Sequence, residues 1–392
     1  MMRRLEVFAL LSALIGVTIG PRLRAQSTAP EVFVIRASKI FTSGPAGVLH
    51  NAALLIENGK IKRIILDENL PSVLVKDYSG LTIIPCLVDA HTYISGYKAL
   101  LGHTGPMSFD LPAYAVFDPE SPEVLEALSS GIGTVNLSPD NRNVVGGLSS
   151  VLKLPAGFES PHVFRKEAFL KVSLNSEALD PEKAPTSLMG AEAILDEAVR
   201  AVRRGLEPRD GLFGQRALRS LADGSLRPIV AASSLPEVRM ALAWLERCGL
   251  AGILLGGEEA GPFIEELKRK NIPVLLSPIQ FSSPEKAAEN AVELLNGGVQ
   301  VAFVSDMPEG SPLDLRYSAL ALCRQGVPQE EALKTITLFP ALILGVGERV
   351  GSIEEGKDAD FVVLSGDPLD LGARISAVYI DGRLVGDEER PR

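Results

Sequence analysis

Hydrophobic residues follow one pattern at the two ends of the chain and another in the middle. Near the amino terminus, short stretches of β-branched residues surround Asn58-Gly59, a pair typical of a tight hairpin turn. Short strands of the same kind recur near the carboxyl terminus, where Asp381-Gly382 is a second such turn. The pattern predicts that residues 31–81 and 345–390 together build one small composite β-sandwich domain.

Residues 82–344 show a different repeat, in which short buried apolar runs are separated by amphipathic stretches with helical spacing. Eight buried strands separated mostly by helices are typical of a (β/α)8 TIM-like barrel, which is an α/β fold. An open doubly wound sheet alternates similarly, but it needs a glycine-rich phosphate-binding turn after its first strand. This chain has no such turn there. The apolar runs lie at 82–90, 132–138, 148–154, 169–174, 228–233, 252–256, 273–278 and 299–305.

The first 25 residues differ from both patterns. Arg3 and Arg4 precede an apolar run that continues to about Gly20, and Ala25 offers a cleavage point, which is typical of a secretory signal peptide. An uncleaved membrane anchor is the alternative, although the run is short for a bilayer span. The sequence therefore predicts export to the periplasm or the cell exterior, with no membrane contact beyond this segment.

Composition narrows the classes of partner. The 392 residues carry a formal charge of −10, and removing residues 1–25, which contain four Arg and one Glu, would change it to −13. An acidic chain without a basic cluster is a poor ligand for nucleic acid or anionic lipid. The three cysteines, Cys86, Cys248 and Cys323, are far apart and do not indicate a disulfide framework or a zinc knuckle.

Three stretches resemble the amidohydrolase superfamily. TIIPCLVDAHTYIS (82–95) is similar to the first barrel strand of that superfamily, whose usual form is P-G-x-x-D-x-H-x-H. VAFVSDMPEG (301–310) resembles the eighth strand, and residues 332–370 resemble the return into the β domain, most closely in GSIEEGKDAD. The similarity is nearest to the imidazolonepropionase-like branch. It implies hydrolysis of amide, cyclic amide or amidine bonds by a metal-bound hydroxide.

The resemblance also implies a set of metal ligands. The superfamily uses two histidines on strand 1, a carboxylated lysine or a glutamate on strand 4, one histidine each on strands 5 and 6, and an aspartate on strand 8. His91 and Asp306 match this set, and Asp306 also matches the general acid/base. The chain has no histidine after His162, so strands 5 and 6 supply no imidazole. At the remaining histidine positions of the family pattern, this chain has Tyr93, Ala231 or Ser233, and Gly256. We expect these residues to line a pocket.

Three further residues could replace lost ligands: His103 after strand 1, Lys171 on strand 4 and Glu258 after strand 6. A lone imidazole and carboxylate hold zinc poorly, because catalytic zinc generally takes three protein ligands. The sequence thus predicts an amidohydrolase-related protein that is catalytically impaired or inactive, a pseudoenzyme with a degenerate metal site and no bound cofactor. Such a protein would be retained to bind a small molecule, or to assemble with itself or with an active amidohydrolase paralogue.

Two alternatives stay open at this stage. The first is a divergent, mononuclear zinc hydrolase of cyclic amides, amidines or small N-acyl compounds, built on His91, Asp306 and some of the three substitute ligands. The second is a purely structural protomer, whose barrel mouth is filled by large side chains. Metal content would separate the first alternative from an inactive barrel, and an open cavity at the mouth would argue against the second.

Overall fold

The structure is a computed structural model, and it describes the residues of seven ranges. The predicted signal segment and His103 lie outside them. Within the described part, none of the helices is long and apolar enough to span a bilayer. The ranges are 32–66, 69–95, 107–108, 110–157, 159–179, 184–205 and 215–386.

The elements are named here in chain order. The strands are β1 Val32–Phe41, β2 Val48–Glu57, β3 Lys60–Ile65, β4 Leu74–Pro85, β5 Leu87–Thr92, β6 Ile132–Leu137, β7 Val145–Leu148, β8 Ser150–Lys153, β9 His162–Arg165, β10 Phe169–Ser173, β11 Arg227–Ala232, β12 Ile253–Gly256, β13 Val274–Leu276, β14 Val301–Phe303, β15 Phe361–Leu364, β16 Ile375–Ile380 and β17 Arg383–Leu384. The helices are α1 Pro122–Ser129, α2 Leu188–Arg203, α3 Gln215–Ala222, α4 Leu235–Cys248, α5 Ile264–Arg269, α6 Glu285–Asn296, α7 Leu313–Arg324, α8 Gln329–Lys334 and α9 Leu338–Ile343.

Strands from both ends of the chain form one seven-stranded sheet, in the order β17-β16-β15-β4-β1-β2-β3. The sequence predicts a small β domain built from both chain ends, and the long strand β4 connects the strands of the two ends. Its register runs parallel to β1 from Leu74 to Ile83, and its last residues pair antiparallel with β15, from Thr82 to Pro85. One strand therefore joins the amino-terminal and carboxyl-terminal halves edge to edge.

The middle of the chain forms a barrel-like arrangement of strands, and each of the eight predicted apolar runs contains or overlaps a strand. β10, β11, β12, β13 and β14 are neighbours in one parallel series, and β5 pairs parallel with β6. The ends of β14 and β5 also meet. The backbone N–H of Tyr93 donates to the carbonyl of Met307 at 2.9 Å, and that of Ser305 donates to the Asp89 carboxylate at 3.1 Å. The α/β barrel fold expected from the sequence is confirmed.

The third strand position of the barrel is filled by β7 and β8, which are antiparallel to their neighbours. β7 pairs antiparallel with β10, β8 pairs antiparallel with β6, and Ser149 alone separates β7 from β8. A parallel crossover needs a dozen or more residues. The connection from Leu137 to Val145 is shorter than that, so the chain turns back at once and fills the third position in the reverse direction.

Apolar side chains from the strands meet inside the barrel. They form one buried cluster with residues of α9 and the segment after it, including Ala341, Ile343 and Val346. Alternate residues of a strand point to the same face, which is why positions two apart recur in this cluster. The strand residues of the cluster include Val88, Ala90, Val151, Phe169, Ile229, Ala231, Ile253, Leu255, Leu275 and Ala302.

A buried ion cluster joins the barrel to the seven-stranded sheet. Lys153, at the end of β8, is 1% exposed, and its ammonium lies 2.5 Å from Asp358, 2.5 Å from Asp381 and 2.9 Å from Asp360. Arg349 and Lys60 also pair with Asp358, at 2.7 Å and 2.9 Å. Burial alone would lower the pKa of Lys153, but the three carboxylates outweigh it and raise that pKa. Lys153 is therefore a structural cation and does not face the barrel mouth.

Candidate functional site

A cavity of about 150 Å³ lies where the carboxyl ends of the barrel strands converge. In this fold, loops that follow strand ends carry the functional residues. The described side chains leave this space open, so they do not fill the mouth as a purely structural protomer would require. The lining residues are His91, Tyr93, Asn141, Asn175, Glu177, Ala231, Ser233, Leu255, Gly256, Ser277, Asp306 and Glu309.

Asp89 fixes the end of β5 against the end of β14. Its carboxylate accepts hydrogen bonds from the backbone N–H and the hydroxyl of Ser305, and from the backbone N–H of His91. Burial raises the pKa of Asp89 to about 6, although these hydrogen bonds oppose the change. Asp89 thus holds the strand end that presents His91 and Tyr93 to the cavity.

His91 is completely buried, and neither ring nitrogen has a hydrogen-bond partner among the described residues. Burial, helped by the charge of Lys171, lowers the pKa of His91 well below its ordinary value, so the ring is neutral. A neutral imidazole offers one donor and one acceptor, and it is also the form that binds metals. His91 therefore has capacity for a ligand in the cavity.

Tyr93 stands beside His91 in an edge-to-face contact, with ring centroids 5.0 Å apart. Burial raises the pKa of Tyr93 well above its ordinary value, and the nearby charge of Asp306 adds to the effect. A phenol must lose its proton to act as an anionic metal ligand. Tyr93 is therefore a neutral phenol here, and a neutral phenol is a weaker metal ligand than the imidazole of the family pattern.

Asp306 follows β14 with left-handed backbone geometry, at a φ of 53°. Aspartate and asparagine tolerate this region better than most residues. Burial, together with the charges of Asp89, Glu258, Glu177 and Glu309, raises the pKa of Asp306 to about 7. The side chain can accordingly hold or release a proton near neutral pH.

Lys171, on β10, is fully buried behind the cavity. Its ammonium donates to the side-chain oxygen of Asn141 at 2.5 Å and to the hydroxyl of Ser173 at 3.3 Å. Burial lowers the pKa of Lys171 to about 7 against the opposing charge of Glu177. Lys171 is not among the residues that line the cavity, so it acts on the site by its charge and through Asn141.

The ends of β11 and β12 form the wall where the family pattern has histidines. Ala231 and Ser233 line the cavity, and Glu237, in the capping box of α4, accepts from the backbone N–H of Ser233 at 3.0 Å. Gly256 has a φ of 90°, and a Cβ there would lie 2.5 Å from the Ser233 hydroxyl and 3.0 Å from the Ala232 carbonyl. The backbone at Gly256 therefore has no room for a side chain.

Of the two proposed substitute ligands that the structure describes, Glu258 lies beside the cavity wall, because its Oε2 would be 3.2 Å from a Cβ at Gly256. Its carboxylate raises the pKa of Asp306, and its Oε2 is buried without a hydrogen-bond partner among the described residues. Lys171 contributes charge from behind the cavity, as described above. His103 cannot be placed, because it lies outside the described residues.

Several lining residues were not predicted as pocket residues. Asn141, Ser277 and Glu309 come from the ends of β6, β13 and β14 or the loops after them. Each lies within or a few residues after a predicted apolar run, so a search for polar residues at every strand end would have identified them. Their convergence depends on loop geometry that hydrophobic spacing does not encode.

Metal-ligand donors are gathered tightly elsewhere. Among the described residues, three or more His, Cys, Asp or Glu side chains bring ligand atoms within 4.8 Å of one another at Asp358, Asp360 and Asp381. That trio surrounds the Lys153 ammonium and does not line the cavity. His91 and Asp306 have no third such donor within that distance in the described part of the chain.

Known proteins share both the sequence pattern and the fold. A sequence model of the amidohydrolase family matches residues 233–385. The imidazolonepropionase of Geobacillus kaustophilus is 24% identical over 376 residues, which cover 81% of this chain and 85% of that protein. The solved structure of an amidohydrolase from Thermotoga maritima matches with a TM-score of 0.78 at 27% identity, covering 90% of this chain and 99% of that one.

Other relatives match over shorter stretches. The imidazolonepropionase of Thermoplasma volcanium is 30% identical over 138 residues, which cover 32% of this chain and 33% of that protein. Several further curated relatives are matched over 10% to 28% of their own length. These local matches support common descent of the matched segments.

The fold and the site define a barrel protein with a polar cavity at the carboxyl ends of its strands and a sheet domain built from both chain ends. The sequence model, the full-length relatives and the solved structure together support a place for this chain in the amidohydrolase superfamily. The family relationship associates it with hydrolases of C–N bonds.

Proposed function

We propose that this chain is a catalytically impaired amidohydrolase relative, which keeps its barrel mouth to bind a small molecule. The observation that carries the proposal is the shortage of metal ligands. His91 and Asp306 are the two side chains that match the family ligands, and catalytic zinc generally takes at least three. Water activation in this family depends on the metal, so a site that cannot retain it loses the reaction.

The replacements at the other positions support the same conclusion. Tyr93 is held as a neutral phenol, Ala231 offers no donor, and Gly256 has no space for a side chain. A single substitution could be a change of specificity, whereas these positions lie on three different strands. The residues that surround the cavity therefore do not fit a resident catalytic metal.

Turnover assays test this proposal directly. The protein is incubated with cyclic amides, amidines and small N-acyl compounds, with and without added zinc, next to the Asp306→Asn variant. We expect wild type and variant to be equally inactive, because no activated water is available for Asp306 to exchange protons with. Turnover that requires zinc and disappears in Asp306→Asn would contradict the proposal.

One set of observations favours a second function, a divergent mononuclear hydrolase. His91 is a buried neutral imidazole without a partner among the described residues, and Asp306 can exchange a proton near neutral pH at the same cavity. Glu258 would supply the third ligand in this version. A His91→Ala variant that lost both zinc and turnover, while keeping its fold, would establish this second function.

Export and assembly belong to the proposal as well. Residues 1–25 have the charge and hydrophobic pattern of a secretory signal peptide, which supports export. Cell fractionation with amino-terminal sequencing would show whether the segment is removed.

For assembly we propose either self-association or pairing with an amidohydrolase paralogue. Sizing by light scattering, alone and after co-expression with a paralogue, distinguishes these two assemblies.

A further inference from the structure

We propose that the cavity at the barrel mouth binds a small organic cation with several N–H donors, such as a guanidinium, an amidinium or a primary ammonium compound. The inference deepens the proposed function and rests on it, because a resident metal would occupy the same space. It combines three features of the cavity: the sign of its charge, the unmet hydrogen-bonding capacity of its buried side chains, and its size.

The charge around the cavity is negative. The carboxylates of Glu177, Asp306 and Glu309 line it, and Glu258 lies close enough to act on Asp306. Lys171 does not line the cavity, and its ammonium donates to the side-chain oxygen of Asn141. A concave site with charges of one sign attracts ligands of the opposite sign and repels anions.

Two buried side chains lining the cavity have acceptors without partners among the described residues. Asn175 is 5% exposed, and its amide nitrogen donates to Glu177 at 3.1 Å while its side-chain oxygen receives no hydrogen bond. His91 is 0% exposed, and neither ring nitrogen has a partner in the described part of the chain, so the ring offers an acceptor that a ligand N–H can pair. Buried acceptors are normally paired, and a ligand with several N–H groups would pair these.

The size of the cavity limits the ligand. Its volume of about 150 Å³ is similar to that of an engineered protein cavity of about 150 Å³ that accepts one benzene molecule. A methylguanidinium or a short alkylammonium ion fits this volume. An apolar ligand of the same size would leave the acceptors of Asn175 and His91 unpaired, which disfavours it.

Calorimetric titration at fixed ionic strength tests the inference on the full chain. Three ligands of similar size are compared: methylguanidinium, its neutral analogue N-methylurea, and acetate. We expect methylguanidinium to bind at least about tenfold more tightly than N-methylurea, and acetate not to bind, because charge-assisted hydrogen bonds are roughly twice as strong as neutral ones. This comparison uses the unaltered protein and does not depend on whether a variant folds.

Two variants locate the binding. Glu177→Gln and Asp306→Asn should each lower the affinity for methylguanidinium by about threefold to tenfold, since each removes a negative charge from the cavity. The matched control is Glu57→Gln on β2, in the sheet domain, and it should leave the affinity unchanged. Equal weakening by the control, or no effect of both cavity variants, would overturn the inference.

The two proposals fail in different ways. Zinc-dependent turnover of an amide substrate would overturn the proposed function, and this inference with it. Tighter binding of N-methylurea or acetate by an inactive, metal-free chain would overturn the cation site alone.

Discussion

At the scale of single residues, Asp306 shows how the cavity has changed the chemistry of a family position. Its left-handed backbone keeps the carboxylate at the mouth, and burial among other carboxylates raises its pKa to about 7. Among the described residues, Lys171 interacts with this charge from behind the cavity wall, yet burial and the neighbouring carboxylates still raise the pKa of Asp306. The residue that would help catalysis in a metal enzyme therefore costs stability here when it ionises.

Replacing Asp306 by Asn should reveal that cost. The folded-state pKa of about 7 lies above the ordinary value of 3.8, so the folded protein binds the proton more tightly than the unfolded chain. Stability is consequently lost as the pH rises from about 4 through 7. We expect Asp306→Asn to match wild type at pH 4 and to be more stable at pH 8, by about 1–4 kcal/mol.

Chemical denaturation at the two pH values measures this difference. Asn tolerates the same left-handed geometry, so the substitution changes charge with little backbone strain. An equal effect of Asp306→Asn at pH 4 and pH 8 would mean that the carboxylate does not titrate in this range.

Gly256 allows a second test at the residue scale. Gly256→Ala should destabilise the protein by about 1–3 kcal/mol, because the new Cβ would have both an unfavourable φ and close contacts with Ser233 and Ala232. Gly224→Ala is the matched control, since Gly224 has a φ of 82° and nothing within 4 Å of its Cβ position. Thermal unfolding of both variants separates the effect of contact from that of φ. Equal losses in the two would show that the wall has room for a side chain.

At the scale of elements, β8 is the strand that connects the barrel to the sheet domain. Hydrophobic spacing predicts its existence, because residues 148–154 form one of the apolar runs. The reversed direction follows from the short connection after β6, and a periodicity argument does not detect it. The sequence does not predict the partners of Lys153 either, because Asp358, Asp360 and Asp381 are more than 200 residues away along the chain.

Removing the cation of this cluster should be costly. Lys153→Met leaves three carboxylates close together without their shared ammonium, and breaking a buried ion pair typically costs about 3–5 kcal/mol. The exposed pair of Arg200 with Asp196 provides the control, and Arg200→Gln should cost less than about 1 kcal/mol. Denaturant midpoints of the two variants give the comparison. Similar small losses would mean that the cluster does not hold the two parts of the fold together.

At the scale of the whole molecule, the sequence predicts the architecture better than the contents of the site. The eight apolar runs are sufficient to predict the barrel, because burial imposes regular spacing on strands. The sequence after residue 332 is sufficient to indicate the family. His91, Tyr93 and Asp306 could be assigned to the mouth because they follow strand ends. Asn141, Glu177 and Glu309 converge there through loops, whose shape depends on contacts that are distant in sequence.

The proposed shortage of metal ligands concerns the whole site, where too few donors converge on the cavity to retain a catalytic metal. Its most direct test is the metal content of the purified protein, measured by mass spectrometry after incubation with zinc, manganese, iron, cobalt or nickel and removal of free ions. We predict less than about 0.1 equivalent of any of them, with no change in His91→Ala. Close to one equivalent in the wild type, lost in His91→Ala, would contradict the account.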